Sequence, residues 1–290
     1  MGGPCDGNSV MTPVLDTHVH LVEDPDWVRG THQEQVRRPF TAADFRDHAA
    51  GTEVTGLVSV PSLPTVAETW RMLAVAAADP TVAAVVGWVD LTAPDVGAQL
   101  DALMATPGPL RGIRHPLQRE PDPDWLMRTD VLAGLRELAE RDLLFEILAR
   151  GDQLDAAVRM SRQRPELTLV LDHAGNPPLA TGDLTDWERH LRALAEHERL
   201  VCKVSGPMVH AERSTLADGA LERSAHVVRD IFGPRRTLLG SNYPLCLLTG
   251  DYDAAWRHGL TVVAPDEHDA QQMHATARTV YTPARQAVRF

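Results

Sequence analysis

The feature that most constrains this chain is an alternation: short β-rich runs trade places with longer stretches of helical periodicity along most of its length. The runs are PVLDTHVH, TGLVSV, VAAVVGWVD, LRGIRH, LLFEIL, LTLVLDHAG, LVCKVSG and TLLGSNYP. Between them lie segments such as VAETWRMLAVAAAD and VLAGLRELAERD, whose apolar residues recur every three or four positions, as on one buried helix face. Such alternation argues for a parallel sheet, because a parallel neighbour is reached only through a crossover connection. Eight strand–helix units in 290 residues match a (β/α)8 barrel. A doubly wound open sheet is the competing architecture, but no glycine-rich phosphate loop follows an early strand.

No internal repeat, low-complexity tract or long linker divides the chain, so residues 1–290 are expected to form one barrel domain, with 1–12 as a flexible tail. The formal net charge is -12 without a stripe of Lys and Arg, which argues against a nucleic-acid or anionic-membrane partner. Cys5, Cys202 and Cys246 are odd in number and lack CxxC spacing, so no disulfide framework is indicated. With no apolar signal core and no spanning run, a cytoplasmic setting is expected. The expected partners are a small-molecule substrate and a second copy in a homodimer.

Nearly every β-rich run finishes on a polar residue able to do chemistry, and the carboxyl ends of barrel strands gather around one pocket. Asp16, His18 and His20 alternate along the first run and should share a face. Two imidazoles at that spacing can hold one metal ion or bind a substrate oxygen together, although solvated histidines in a turn are the plainer alternative. Glu146 sits among large apolar residues, where a carboxylate must be paired, protonated or metal-bound; a salt bridge to Arg150 would satisfy it without any function. Asp172 and His173 should face opposite sides, with His173 inward and Asp172 orienting it. Arg111, Arg114, His115 and Gln118 cluster in RGIRHPLQ, and guanidinium groups there suit a carboxylate-bearing substrate. Lys203, between apolar neighbours, could neutralise substrate charge or pair with Glu146. Each residue alone has a structural explanation. Their co-occurrence at successive strand ends points to a site.

The stretches LDTHVHL, VVGWVDL, RGIRHPLQREPDPDWL, LLFEILARGDQL, LTLVLDHAGNPP, VCKVSG and LLGSNYPLCLL run from residue 14 to about residue 250. In order and spacing they resemble the amidohydrolase-2 group of the amidohydrolase superfamily, the branch with sugar lactonases and 2-pyrone-4,6-dicarboxylate lactonase. The resemblance implies a distorted (β/α)8 TIM barrel that hydrolyses lactone esters, with a divalent ion in some members and none in others. It places His18, His20, Glu146 and His173 on positions that bind metal or substrate, and Arg114 and His115 near substrate-binding positions. The family's last strand reads Gly-Ser-Asp-Trp-Pro, and its aspartate activates the hydrolytic water. Here the motif is GSNYP, with Asn242 for the aspartate and Tyr243 for the tryptophan. Pro61 stands where the family tends to have glutamine, and His210 enters a loop that could reach the pocket.

Hydrolysis of a lactone or related ester of a small carboxylated or sugar-like molecule is therefore the expected activity. The catalytic set is His18, His20, His173, Asn242 and Glu146, and substrate contacts come from Arg114, His115, Lys203 and Tyr243. A divalent metal (zinc, manganese or iron) would draw on His18, His20, Glu146, His173 and His210. Because a carboxamide does not take a proton at neutral pH, water activation passes to Glu146, a histidine or a metal-bound hydroxide. A non-heme iron oxygenase or decarboxylase on the same barrel is the alternative, since neither needs the missing aspartate. A binding protein that kept the pocket is the third.

Overall fold

A computed structural model describes residues 14–25, 27, 34–210 and 216–282, together with the backbone but not the side chain of His210. The tail expected over residues 1–12 lies outside these residues. Eight strands form one sheet in sequence order: β1 (Val14–Val19), β2 (Val54–Ser59), β3 (Val82–Gly87), β4 (Leu110–Pro116), β5 (Leu144–Leu148), β6 (Leu169–Leu171), β7 (Leu200–Val204) and β8 (Thr237–Leu239). All neighbouring pairs are parallel. The barrel nearly closes where β8 returns to β1. There Thr17 Oγ1 donates to Leu239 O at 2.8 Å, and a bridge joins Val19 to Tyr243.

The helices are α1 (Ala42–Ala49), α2 (Val66–Ala78), α3 (Val96–Met104), α4 (Thr129–Glu140), α5 (Leu154–Gln163), α6 (Thr185–Ala195), α7 (Pro207–His210), α8 (Ala220–Phe232), α9 (Tyr252–Val263) and α10 (Glu267–Tyr281). Several start at side-chain caps: Thr41 and Asp44 form a capping box on α1, and Asp251 and Asp266 cap α9 and α10. Two apolar shells result. The outer one joins alternate strand residues such as Leu57, Ile113, Phe145 and Cys202 to the helices. The inner one packs Leu15, Val58, Val86, Leu144, Val170, Val201 and Leu238 together with Ala277 and Tyr281 of α10. Arg111, at the start of β4, donates to Val280 O at 3.2 Å, so α10 closes the amino-terminal mouth of the barrel. The opposite mouth is left for the site.

Two irregularities decide which side chains point inward. Leu15 belongs to the inner shell and Val19 to the outer, so strict alternation is broken between them, where the β1–β2 register also shifts. As a result His18 turns inward while Asp16 turns to Ser241 and Tyr252, against the expectation that Asp16 and His18 share a face. The last three strands are shorter than their β-rich runs, because the chain leaves extended geometry early. His173 and Ala174 have φ of 53° and 50°, and a short 3-10 turn covers Asp172–Gly175.

Candidate active site

A cavity of about 280 Å³ opens at the carboxyl ends of the strands, lined among others by His20, Arg114, His173 and Asn242. Pro61, Ser62, Trp88 and Gln118 form more of its wall, and Arg119 lies at its mouth. His20 extends from the end of β1, and its Nδ1 lies 3.1 Å from Val60 O and 3.2 Å from Ser62 Oγ. A carbonyl only accepts, so this contact assigns the proton to Nδ1 and leaves the Nε2 lone pair available. Burial, and then the Arg114 charge, hold the His20 imidazole well below its ordinary pKa, so it is neutral. His173 joins from the left-handed turn after β6, its Nδ1 2.8 Å from Ser205 Oγ. A Cβ at Gly206 would lie 2.6 Å from that ring nitrogen, so glycine there lets the ring pack. Asn242 adopts φ 61°, a left-handed conformation that asparagine tolerates better than most residues.

Beneath the cavity lies a layer sealed from solvent. His18, Glu146, Asp172 and Lys203 are all fully buried. Lys203 Nζ donates to Glu146 Oε1 at 2.6 Å and lies 3.0 Å from Asp172 Oδ1. Tyr281 donates to the same Glu146 oxygen at 2.5 Å. Arg114 spans the two layers: it reaches Asp172 Oδ2 at 3.3 Å and His18 Nε2 at 3.1 Å, and it also donates to Pro61 O. Because Arg114 only donates, His18 Nε2 accepts, and Nδ1–H faces Asp172 Oδ1 at 3.7 Å. Burial and the neighbouring Asp172 charge raise the Glu146 carboxyl to about 7. Burial acts on Asp172 in the same direction, but Lys203 and His18 outweigh it and hold this carboxyl well below the usual range.

The donor set fits a divalent ion. His18, Glu146 and Asp172 each offer a ligand atom within 4.8 Å of the others. Moreover Glu146 Oε2 is buried without a hydrogen-bond partner, an open acceptor that a cation could satisfy.

The structure sorts the residues expected from sequence. His20, His173, Arg114 and Asn242 meet in the cavity, while His18 and Glu146 lie in the sealed layer below it. Three residues expected to touch substrate do not line the cavity. Lys203 points inward but too deep, paired with Glu146 rather than exposed. His115 alternates outward from Arg114 and stacks on Trp125 at 4.1 Å. Its Nδ1 accepts from Trp88 Nε1 at 3.3 Å and its Nε2 meets Glu120 at 2.8 Å, so it braces the wall through Trp88. Tyr243 is buried among Phe40, Phe45 and Tyr252, with its hydroxyl 3.1 Å from His48 Nδ1. The His210 side chain lies outside the described residues. Asp172, expected to face outward beside His173, shares parity with the inner-shell Val170, and both residues reach the site. Arg150 pairs with Asp152 and leaves Glu146 to Lys203. Sequence reasoning missed Trp88, although it follows β3 as a strand-end residue, and Tyr281, which carries no local signal.

The chain is 35% identical over 256 residues to the L-fucono-1,5-lactonase of Burkholderia ambifaria, covering 85% of this chain and 87% of that protein. An L-fucono-1,5-lactonase of Burkholderia multivorans is 36% identical over 196 residues, 64% of this chain and 66% of that one. An amidohydrolase of Burkholderia multivorans solved with bound HEPES superposes at a TM-score of 0.85 and 28% identity, covering 93% of this chain and 99% of that one. Its zinc-bound crystal form gives a TM-score of 0.84. With residues 15–282 matching the family as a whole, this chain belongs to the amidohydrolase family.

Proposed function

We infer that the protein is a hydrolase that opens the lactone ring of a small sugar-like or carboxylated molecule, with His20 as the base. The lactonase names of its relatives support the reaction class, and the cavity supplies the parts. The observation that carries the reading is the His20 ring: neutral, held through Nδ1 by Val60 O, and lining the cavity beside Arg114. Its Nε2 takes a proton from water as the water oxygen adds to the ester carbonyl. Arg114 uses three N–H groups on His18, Asp172 and Pro61, which leaves two of a guanidinium's five for the oxygen that becomes negative. When the ring C–O bond breaks, His20 returns the proton to the departing alkoxide. Asn242 holds water or a substrate hydroxyl as a neutral hydrogen-bonding group.

A divalent ion, if bound, would be held by His18, Glu146 and Asp172 and would supply positive charge that acidifies water or polarises an oxygen. Iron–oxygen chemistry needs open metal positions facing the substrate, and these three donors lie beneath the cavity. A cytoplasmic setting agrees with the free, buried Cys202 and Cys246. Among the described residues no helix is long and apolar enough to cross a membrane.

The test is turnover on a panel of neutral sugar lactones and carboxylated lactones. His20→Gln should lower kcat about 10²–10⁴-fold on the lactone that is turned over, with an unchanged melting temperature. Asn242→Asp should change kcat less than about tenfold, since the base is elsewhere. Silence across the panel, or an active His20→Gln protein, overturns the reading.

A further inference from the structure

The one metal-ligand cluster found among the described residues already contains a cation of the chain's own. The Lys203 ammonium lies 2.6 Å from Glu146 Oε1 and 3.0 Å from Asp172 Oδ1, so it bridges two of the three candidate ligands. Below it, the Tyr281 ring centroid is 5.5 Å from Nζ, within the apolar inner shell. Above it, Arg114 neutralises the second oxygen of Asp172. The layer therefore sets two carboxyl groups against one ammonium and one guanidinium, with His18 neutral.

A divalent ion ligated by both carboxylates would sit about 2–2.5 Å from their oxygens, with the ammonium still in contact with them. Two like-charged groups would then share the same acceptors in a region without solvent screening. The Lys203 side chain is fully buried, so it cannot relieve the conflict by moving into solvent where it stands. We propose that Lys203 is the resident cation of this site and competes with a divalent ion for Glu146 and Asp172. The wild-type protein thus holds its sealed layer together with its own charge and takes metal weakly there. This differs from treating Lys203 as a substrate contact or as a passive salt bridge. It makes one side chain the determinant of whether the barrel is a metalloprotein.

Zinc titration of chelator-stripped protein, followed by calorimetry and by melting temperature, tests the proposal independently of turnover. Lys203→Met keeps an unbranched side chain of similar length but removes the charge. It should bind one zinc equivalent about 100-fold more tightly than wild type, and zinc should raise its melting temperature while leaving wild type unmoved. Adding Glu146→Gln to Lys203→Met should abolish the gain. Lys203→Arg keeps the charge and should bind zinc as weakly as wild type, a comparison that stands even if Lys203→Met folds poorly. A micromolar, stoichiometric zinc site in wild type that Glu146→Gln weakens would overturn the proposal. So would equal zinc affinity in the wild-type and Lys203→Met proteins.

Discussion

The two layers of the barrel mouth use similar side chains to different ends. In the sealed layer Glu146, Asp172, Lys203 and His18 are bonded mainly to one another, and Asp172 alone engages Lys203, Arg114 and His18. In the cavity layer the contacts are to uncharged groups: His20 on Val60 and Ser62, His173 on Ser205, Trp88 on His115. Depth accounts for the contrast. Away from solvent a charge must be compensated by another charge, so each group becomes conditional on its neighbours. At the cavity, water and substrate can satisfy what the protein leaves open. The sealed layer should therefore fail as a unit, and the cavity residue by residue.

Asp172→Asn should show the largest effect. It removes the charge facing Lys203, Arg114 and His18 together, and is expected to cost about 3–5 kcal/mol of stability. Lactone kcat/KM should fall about 10²–10³-fold because Arg114 loses its anchor. Denaturant titration with steady-state kinetics checks both, and an effect on stability alone would separate the two layers.

His115→Phe should act more mildly. It keeps a ring on Trp125 but loses the bond to Trp88, worth about 1 kcal/mol, so KM should rise about fivefold with kcat within about twofold. The same contact depends on pH. Burial lowers the His115 pKa from 6.5, so the neutral ring that accepts from Trp88 persists as pH falls through that value and is lost only below it. The unfolded chain takes up this proton first, so the His115 contribution to stability declines as pH drops below about 6.5. Measured KM and melting temperature should both worsen at acid pH in wild type, with a smaller slope in His115→Phe. A slope unchanged by the substitution would assign the acid effect to another group.

The smallest expected effect is Tyr281→Phe. Glu146 keeps Lys203 when the hydroxyl is gone, so stability should fall by about 1–2 kcal/mol and turnover by less than about threefold. A larger loss of turnover would mean that the closing helix α10 reaches the chemistry through Glu146.

The legible part of this molecule was local. Strand–helix alternation announced the barrel, and most runs became strands within one or two residues, as LRGIRH did over Leu110–Pro116. The pairing of Lys203 with Glu146 was also one of the two roles open to that lysine in the sequence, and β5 and β7 are regular enough to bring it about. Single-residue alternation misplaced Asp16, where β1 is irregular, and it read His173 without the left-handed turn that brings the ring back. His115 and Tyr243 were expected in the site from the RGIRHPLQ and GSNYP motifs, where they follow Arg114 and Asn242. Adjacent strand residues, however, face opposite sides.

What the sequence determined by itself is thus the architecture and the roster: eight parallel strands, and polar residues such as His20, Arg114 and Asn242 at their ends. Hydrophobic periodicity and strand parity act over a few residues, so they can be read from one chain. The tertiary structure decided depth and partnership. Glu146 meets Tyr281 across 135 residues of sequence and Lys203 across 57, contacts that no local pattern encodes. GSNYP shows both halves. Its Asn242 is announced by the strand that precedes it, yet its companion in the cavity, His20, was brought there by closing β8 onto β1, which packs Gly240 directly against His18.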